Sequence, residues 1–252
     1  MRIAIFSDVH GNLSALEAVL ADIDRQTVDL VVFAGDLCLF GPRPAECLRL
    51  VRAQRIPSVI GNTDGWLVGR GDLPERHREP IAWTNDQLIT DDQSWLDRLP
   101  FGLRVSPTGN TADDLLIVHA NPHNYNDIVF PSEAEQVARW GQVRQSDADL
   151  VPLLAGVEAA AIAYGHLHIP GVREWAGLTL INVSSVSMPG DEDGRAKFAI
   201  LEWRGDRWGV VHQRVKYDTD AESAAFRASQ PPGWEQAVAA LDAHGYYYPQ
   251  RI

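Results

Sequence analysis

Arg2-Ile3-Ala4-Ile5-Phe6-Ser7-Asp8-Val9-His10 opens the chain, and its counterpart Leu30-Val31-Val32-Phe33-Ala34-Gly35-Asp36 follows. Each is an apolar run without clean alternation, as in a strand buried on both faces, and each runs into a carboxylate, Asp8 or Asp36. Between them, Leu13, Leu16, Ala18, Leu20 and Ile23 recur at helical spacing from Leu13 to Arg25, with Asn12 or Ser14 placed to cap the start. Pro44 opens a second helix to about Ala53, a good position for proline. Ser58-Val59-Ile60 then reads as a third short strand ending at Gly61-Asn62. Strands alternating with helices imply right-handed crossovers and a parallel sheet. Polar groups just past the strand ends then sit where open α/β sheets place their sites.

Further along, residues 75–98 read as helical, with Phe101 to Val105 and Leu115 to Val118 as strands, the second ending at His119. Residues 121–131 are a polar loop, residues 132–155 carry one or two helices, and Ala159 to Ala163 is a strand ending at Gly165-His166. Val172 to Trp175, Thr179 to Val183, Lys197 to Trp203 and Trp208 to Lys216 follow as strands, with Gly177 and Gly205-Asp206 supplying turns. These four are expected to form a second, largely antiparallel sheet. The tail, about 218–252, reads as two helices split at Pro231-Pro232-Gly233. No repeat or linker interrupts the chain, so residues 1–252 are expected to form one α/β domain, two sheets face to face with helices outside.

Composition narrows the function. The 252 residues carry 34 acidic and 22 basic side chains, a net charge of −12, with lysine only at Lys197 and Lys216. An acidic surface repels a polyanionic backbone, so no duplex nucleic acid is expected as a partner. No apolar run approaches the ~20 residues that span a bilayer, so no membrane role is expected. Met1 leads almost directly into Ile3-Ala4-Ile5-Phe6, too short for a signal-peptide core, and a cytoplasmic setting is expected. Cys38 and Cys47 are too few and wrongly spaced for a disulfide framework and read as buried free thiols.

Five short motifs carry the chemistry: Asp8-Val9-His10, Gly35-Asp36, Gly61-Asn62, His119 and Gly165-His166-Leu167-His168. Carboxylate and amide oxygens mixed with imidazole nitrogens suit a pair of divalent first-row metals. Asp8 and His10, two apart at a strand end, can share one cation, and the two oxygens of Asp36 can bridge two. Each motif alone has a plainer reading, since Asp8 could be a cap, Gly35-Asp36 a turn and any one histidine structural. The ordered set points to two-metal hydrolysis of phosphate esters.

The set resembles the calcineurin-like metallophosphoesterase superfamily, and most of all its compact bacterial and archaeal branch related to diadenosine tetraphosphatase-like phosphoesterases. Phe40-Gly41-Pro42-Arg43-Pro44 and Asn182-Val183-Ser184-Ser185-Val186-Ser187 add to the likeness, which covers roughly residues 2–216. The resemblance implies a four-layer α/β/β/α sandwich of two mixed sheets. It implies one metal held by Asp8, His10, Asp36 and His168, and another held by Asp36, Asn62, His119 and His166. It further implies attack on phosphorus by a hydroxide bridging two divalent transition metal ions, Mn²⁺ first, with Fe, Ni, Co, Zn or Mg as alternatives. One departure matters. Many members carry histidine after the Gly-Asn asparagine, where it assists the leaving group; Thr63 stands here and cannot supply an acidic proton at neutral pH. Phosphodiesters are favoured on that ground, and His123 is the candidate substitute acid.

The catalytic candidates are therefore Asp36, Asn62, His119 and His123, with Asn12, Arg43, Thr63, Asp64, Trp66 and Tyr125 as candidate substrate contacts. Packing is the plainer reading for Trp66, and surface ion pairing for Arg43. His77, His212 and His244 read as solvent-facing. The expected partner is a small phosphate-ester or nucleotide-like substrate, and the tail beyond Asp218 offers a surface for a homo-oligomer. Dinucleoside polyphosphate hydrolysis, protein phosphatase activity and a non-catalytic scaffold on the same fold are the alternatives.

Overall fold

β1 (Arg2–Phe6) shows in the computed structural model, which describes residues 1–247, why the opening run is apolar on both faces. Ile3 and Ile5 point into an inter-sheet core, while Ala4 and Phe6 point the other way onto helices. Successive strand residues face opposite sides, so a strand between two layers must be apolar throughout. β2 (Leu30–Phe33) pairs with it in parallel, Ile3 opposite Leu30 and Phe6 opposite Phe33, after α1 (Leu13–Ile23) makes the crossover. Asn12 caps α1, its Oδ1 accepting from the Ala15 amide at 2.9 Å, a contact worth about 1 kcal/mol.

α2 (Pro44–Ala53) runs as the sequence reading has it, with Pro44 at its first turn. Ser58 to Ile60 does not form a strand: the segment makes only an isolated parallel bridge, Ser58 with Phe33. Pro57 has no amide hydrogen to extend the ladder, and the chain enters α3 (Asn62–Leu67) two residues after Ile60. Residues 75–98 divide into a 3₁₀ turn, α4 (Arg78–Gln87) and α5 (Thr90–Asp97).

Next come β3 (Gly102–Val105), β4 (Leu115–Val118), α6 (Glu133–Trp140), α7 (Leu150–Leu154) and β5 (Ala161–Tyr164). The last strands are β6 (Gly171–Trp175), β7 (Leu178–Asn182), β8 (Ala196–Trp203) and β9 (Trp208–Val215). They do not form a sheet of their own. The β6–β7 hairpin extends the sheet ordered β3-β4-β5-β7-β6, while the β8–β9 hairpin joins the sheet ordered β2-β1-β8-β9. Local periodicity marks strands and hairpins but not the neighbour each hairpin finds. That choice is made by apolar area: Ala199 and Leu201 of β8 and Ile181 of β7 all enter the inter-sheet core.

Both sheets are mixed, and they stack face to face. Ile3, Ile5 and Val32 of one meet Leu115, Ile117, Ala161 and Ala163 of the other. Leu16, Val19, Leu20, Cys47, Leu48 and Val51 from α1 and α2 cover the first sheet's outer face. Leu150 and Leu154 cover the second with Ile162, Tyr164 and Leu180. This is the four-layer α/β/β/α sandwich. α8 (Thr219–Ser229) and α9 (Trp234–His244) form a hairpin with its own small core of Phe226, Ala237, Val238 and Leu241. The break falls at Pro231-Pro232-Gly233, with Gly233 at φ 82°. Residues 248–252 of the expected tail lie outside the described residues. Among the described residues no helix is long and apolar enough to cross a membrane.

Candidate metal centre

All seven expected ligands sit where a strand ends or a helix begins. Asp8 and His10 follow β1, Asp36 follows β2, His119 follows β4, His166 and His168 follow β5, and Asn62 opens α3. Sheet stacking brings these edges together. Five of the seven have left-handed backbone: Asp8 at φ 58°, His10 at 49°, Asp36 at 66°, and His166 and His168 at 62°. Non-glycine residues held there cost of order 1–3 kcal/mol each and cluster at functional sites. A web of main-chain bonds holds them: the Asp8 amide donates to Gly35 O at 2.9 Å, and the Val9 and His10 amides donate to Asp36 O at 2.9 and 3.1 Å. The motif glycines are explained by close approach, since a Cβ at Gly61 would collide with the Asp36 carboxylate and one at Gly165 with that of Asp8.

Each buried carboxylate is held by one oxygen and presents the other. Asp8 Oδ2 accepts from the His166 amide at 3.1 Å, leaving Oδ1 at 2.9 Å from His168 Nε2. Asp36 Oδ1 accepts from the Thr63 amide at 2.9 Å. Its Oδ2 lies 3.4 Å from His119 Nε2 and 3.8 Å from His10 Nε2. Asn62 Oδ1 is 3.0 Å from His119 Nε2, and His10 Nε2 is 3.4 Å from His168 Nε2. Ligand atoms of Asp8, His10 and His168 lie within 4.8 Å of one another, as do those of Asp36, His119 and His166.

Backbone carbonyls set the imidazole orientations. Nδ1 of His10 donates to Leu39 O at 3.1 Å, of His119 to Ala34 O at 2.9 Å, and of His168 to Met188 O at 2.7 Å. A carbonyl only accepts, so these three rings carry the proton on Nδ1 and face the centre with Nε2. His166 is reversed: its Nε2 donates to Asn126 O at 2.8 Å, leaving Nδ1 as the lone-pair nitrogen.

Electrostatics agree with a cation site. Burial alone would raise the Asp36 carboxyl, but the His119, His10 and His166 imidazoles hold it well below the ordinary range. Asp8 is likewise lowered, against burial, by His168. Burial brings His10 and His166 down to about 4, so both are neutral donors at neutral pH. His119 is the exception: despite its burial, the Asp36 carboxylate raises it to about 9. A divalent cation bound there would take over the charge balance that a proton on His119 otherwise provides beside Asp36. Two anionic carboxylates, an amide oxygen and oriented imidazoles therefore fit a pair of borderline divalent ions.

The other expected site residues fare differently. Thr63 lies beside Asp36, its Oγ1 buried without a hydrogen bond. Trp66 stacks on His77 with ring centroids 5.3 Å apart. Tyr125 packs against Gly65 and Gly71 and lies 6.4 Å from the Phe101 ring. Asn12, besides capping α1, donates to Ser187 Oγ at 3.3 Å. Two expectations need correction, those for Asp64 and Arg43. Asp64 faces no substrate: its buried carboxylate accepts from the amides of Asp36 at 2.8 Å, Leu37 at 2.9 Å and Gly61 at 3.2 Å, tying two ligand loops together. Arg43 points to the C-terminal hairpin, pairing with Glu222 and donating to Ser14 Oγ at 2.6 Å. His123 is exposed and outside both ligand groups, its Nε2 donating to Ala155 O at 3.0 Å.

His77, read as solvent-facing, is buried between Trp66 and Phe40, whose ring lies 5.7 Å from that of His10. His212 is half-buried on Asn182 O, and His244 is exposed. Both cysteines are buried and free, their thiols pushed well up by that burial. Sequence reasoning missed the four orienting carbonyls, because any residue type carries one. The Asp64 clamp had a faint signal, an acid three residues after Gly61 at a helix start.

Comparison with known proteins fits this geometry. Residues 1–206 match the calcineurin-like phosphoesterase superfamily domain. A metallophosphoesterase from Sphaerobacter thermophilus is similar at 30% identity and a TM-score of 0.71, with 95% of this chain and 98% of that one covered. A hypothetical protein from Pyrococcus horikoshii shares the fold, with a TM-score of 0.78 at 16% identity over 100% and 99% of the two chains. An uncharacterised protein of Methanocaldococcus jannaschii is 27% identical over 238 residues, 92% of this chain and 94% of that one. With the strand-end ligand set in place and its domain matched over most of its length, the chain belongs to the calcineurin-like phosphoesterase superfamily, a family of metal-dependent hydrolases.

Proposed function

We propose that this chain is a dinuclear metal-dependent phosphoesterase that hydrolyses small phosphate esters or nucleotide-like substrates, diesters in preference to monoesters. One observation carries the reading: Asp36 Oδ2 lies between His10 Nε2 and His119 Nε2, at 3.8 and 3.4 Å, with a further ligand group on either side. A carboxylate so placed suits a ligand shared by two cations.

Asp8, His10, Asp36 and His168 would hold one ion and Asp36, Asn62, His119 and His166 the other, Mn²⁺ being the first choice. When bound, such a pair supplies water of lowered pKa and neutralises charge on phosphoryl oxygens. The chain's own residues set the geometry. The Leu39, Ala34 and Met188 carbonyls aim three Nε2 atoms inward, and the Thr63 and His166 amides fix the carboxylates. Thr63, in the position next to Asn62, has no acidic proton for a leaving group. Esters with good leaving groups are the expected substrates. The net charge of −12 supports a small free substrate over duplex nucleic acid, and two buried free thiols suit a reducing, cytoplasmic setting.

The test is metal analysis of the purified protein with activated diesters and monoesters assayed in Mn²⁺, Ni²⁺, Co²⁺ and Mg²⁺. Two equivalents of metal and faster diester turnover are expected. No turnover of either ester with any ion would overturn the reading, and Asp36→Asn with unchanged partner binding would then point to a scaffold.

A further inference from the structure

We propose that the C-terminal hairpin, α8 and α9, is a positioning element of the His10 half of the centre, acting through Glu222 and Arg43. The inference rests on the cation site of the proposed function. The hairpin lies beyond residue 206, where the superfamily match ends.

The contacts form one chain. Glu222 on α8, its side chain fully buried, pairs with Arg43. The Arg43 amide donates to Gly11 O at 3.1 Å, next to His10. Gly41 lies so close to the His10 carbonyl that a Cβ there would collide with it. Leu39 O accepts from His10 Nδ1, and the Phe40 ring lies against the His10 ring. Residues 39–43 are thus the back wall of His10, and Glu222 anchors their far end. A cavity of about 10 Å³, room for about one water, lies directly behind His10, lined also by Asn12, Gly41, Tyr217, Glu222 and Phe226. Beside it Tyr217 Oη, Glu222 Oε1 and Arg43 Nε are buried without a well-formed hydrogen bond.

Stability alone does not account for this arrangement. The hairpin already has an apolar core of its own, and a buried ion pair is by itself poor at stabilising a fold. The Arg43–Glu222 pair, tied also to Ser14 at the start of α1, holds one end of this loop, and the loop holds His10 Nε2 toward the cation position. His119 and His166 take their orientation from Ala34 and Asn126, which Glu222 does not touch.

The experiment is stepwise Mn²⁺ binding by calorimetry on the full chain, with thermal midpoints, for the wild type, Glu222→Gln, Glu222→Asp and Tyr217→Phe. His166→Ala, alone and combined with Glu222→Gln, assigns the steps. Glu222→Gln should weaken one step about tenfold, as loss of an outer partner does, and leave the other within about twofold. Glu222→Asp, which keeps the carboxylate, should recover part of the loss, and Tyr217→Phe should show a smaller effect on the same step. The weakened step should be the one that His166→Ala leaves unchanged. Equal weakening of both steps, or a lowered thermal midpoint with both steps unchanged, would make the hairpin a mere cover and overturn the proposal. A wild type that binds no Mn²⁺ would instead fail the dinuclear reading itself, and this inference with it.

Discussion

The two halves of the centre are built alike and enclosed differently. Asp8, His10 and His168 are all buried, backed by the Leu39 and Met188 carbonyls and, behind them, by the C-terminal hairpin. Asn62 and His119 are buried too, but His166 is half-exposed and takes its orientation from Asn126, an exposed residue in the loop 121–127. One half is sealed by packed structure; the other borders solvent and leans on a surface loop. The difference teaches that donor sets of like chemistry can sit one in packed structure and one beside a surface loop, and that ions held by the two should differ in affinity and in proton chemistry.

The comparison breaks most completely at its shared atom. Asp36→Asn should lower kcat/KM by about 10³-fold, several kcal/mol of transition-state stabilisation, because both halves lose Oδ2 together. Steady-state kinetics would show it, and a fall under about tenfold would mean that the halves work independently. Removing one imidazole from each half should then separate them. His168→Ala is expected to weaken one binding step by roughly 100-fold and His166→Ala the other by roughly tenfold, within the range that even outer partners command. Titration calorimetry reads both, and the reverse order would refute the sealed-versus-open distinction.

Protons sharpen it further. His119, raised to about 9, stabilises the cation-free fold through its charged form. That contribution is whole below the ordinary histidine value near 6.5 and is lost as pH climbs through about 9. His10 and His166, lowered to about 4, act oppositely: their contribution is whole above about 6.5 and is lost as pH falls through 4. The imidazole contribution to the stability of the cation-free protein should therefore be greatest between about pH 6 and 7, falling by about 1–3 kcal/mol on either side. Denaturant titrations across pH measure this. Cation binding near neutrality should release about one proton from His119 and almost none from His10 or His166, as calorimetry in buffers of different ionisation enthalpy would reveal. The smallest effect is expected at His123→Ala, which should leave turnover unchanged and stability within about 0.5 kcal/mol, since His123 only meets the Ala155 carbonyl at the surface.

Much of this molecule was legible before folding. The apolar runs at β1 and β2, the capping Asn12, Pro44 at a helix start and the break at Pro231-Pro232-Gly233 are local signals, and the elements lie where they predict. Ser58 to Ile60 misled because two β-branched residues after a serine meet strand propensity without the amide partners a ladder needs. The roles of Asp64 and Arg43 misled for a different reason. Polar residues near a site read as substrate contacts, yet an acid beside three unpaired amides, or an arginine opposite a buried glutamate, satisfies the fold first.

The sequence by itself determined which elements form and which donor atoms stand at their ends, because backbone periodicity, caps and ligand chemistry are properties of neighbouring residues. Only the tertiary structure decided which sheet each late hairpin joined, which nitrogen each histidine turns inward, and that Asp36 Oδ2 lies between two imidazoles. Those outcomes depend on carbonyls and apolar faces far away in the chain, and a backbone carbonyl looks the same in every residue until folding places it.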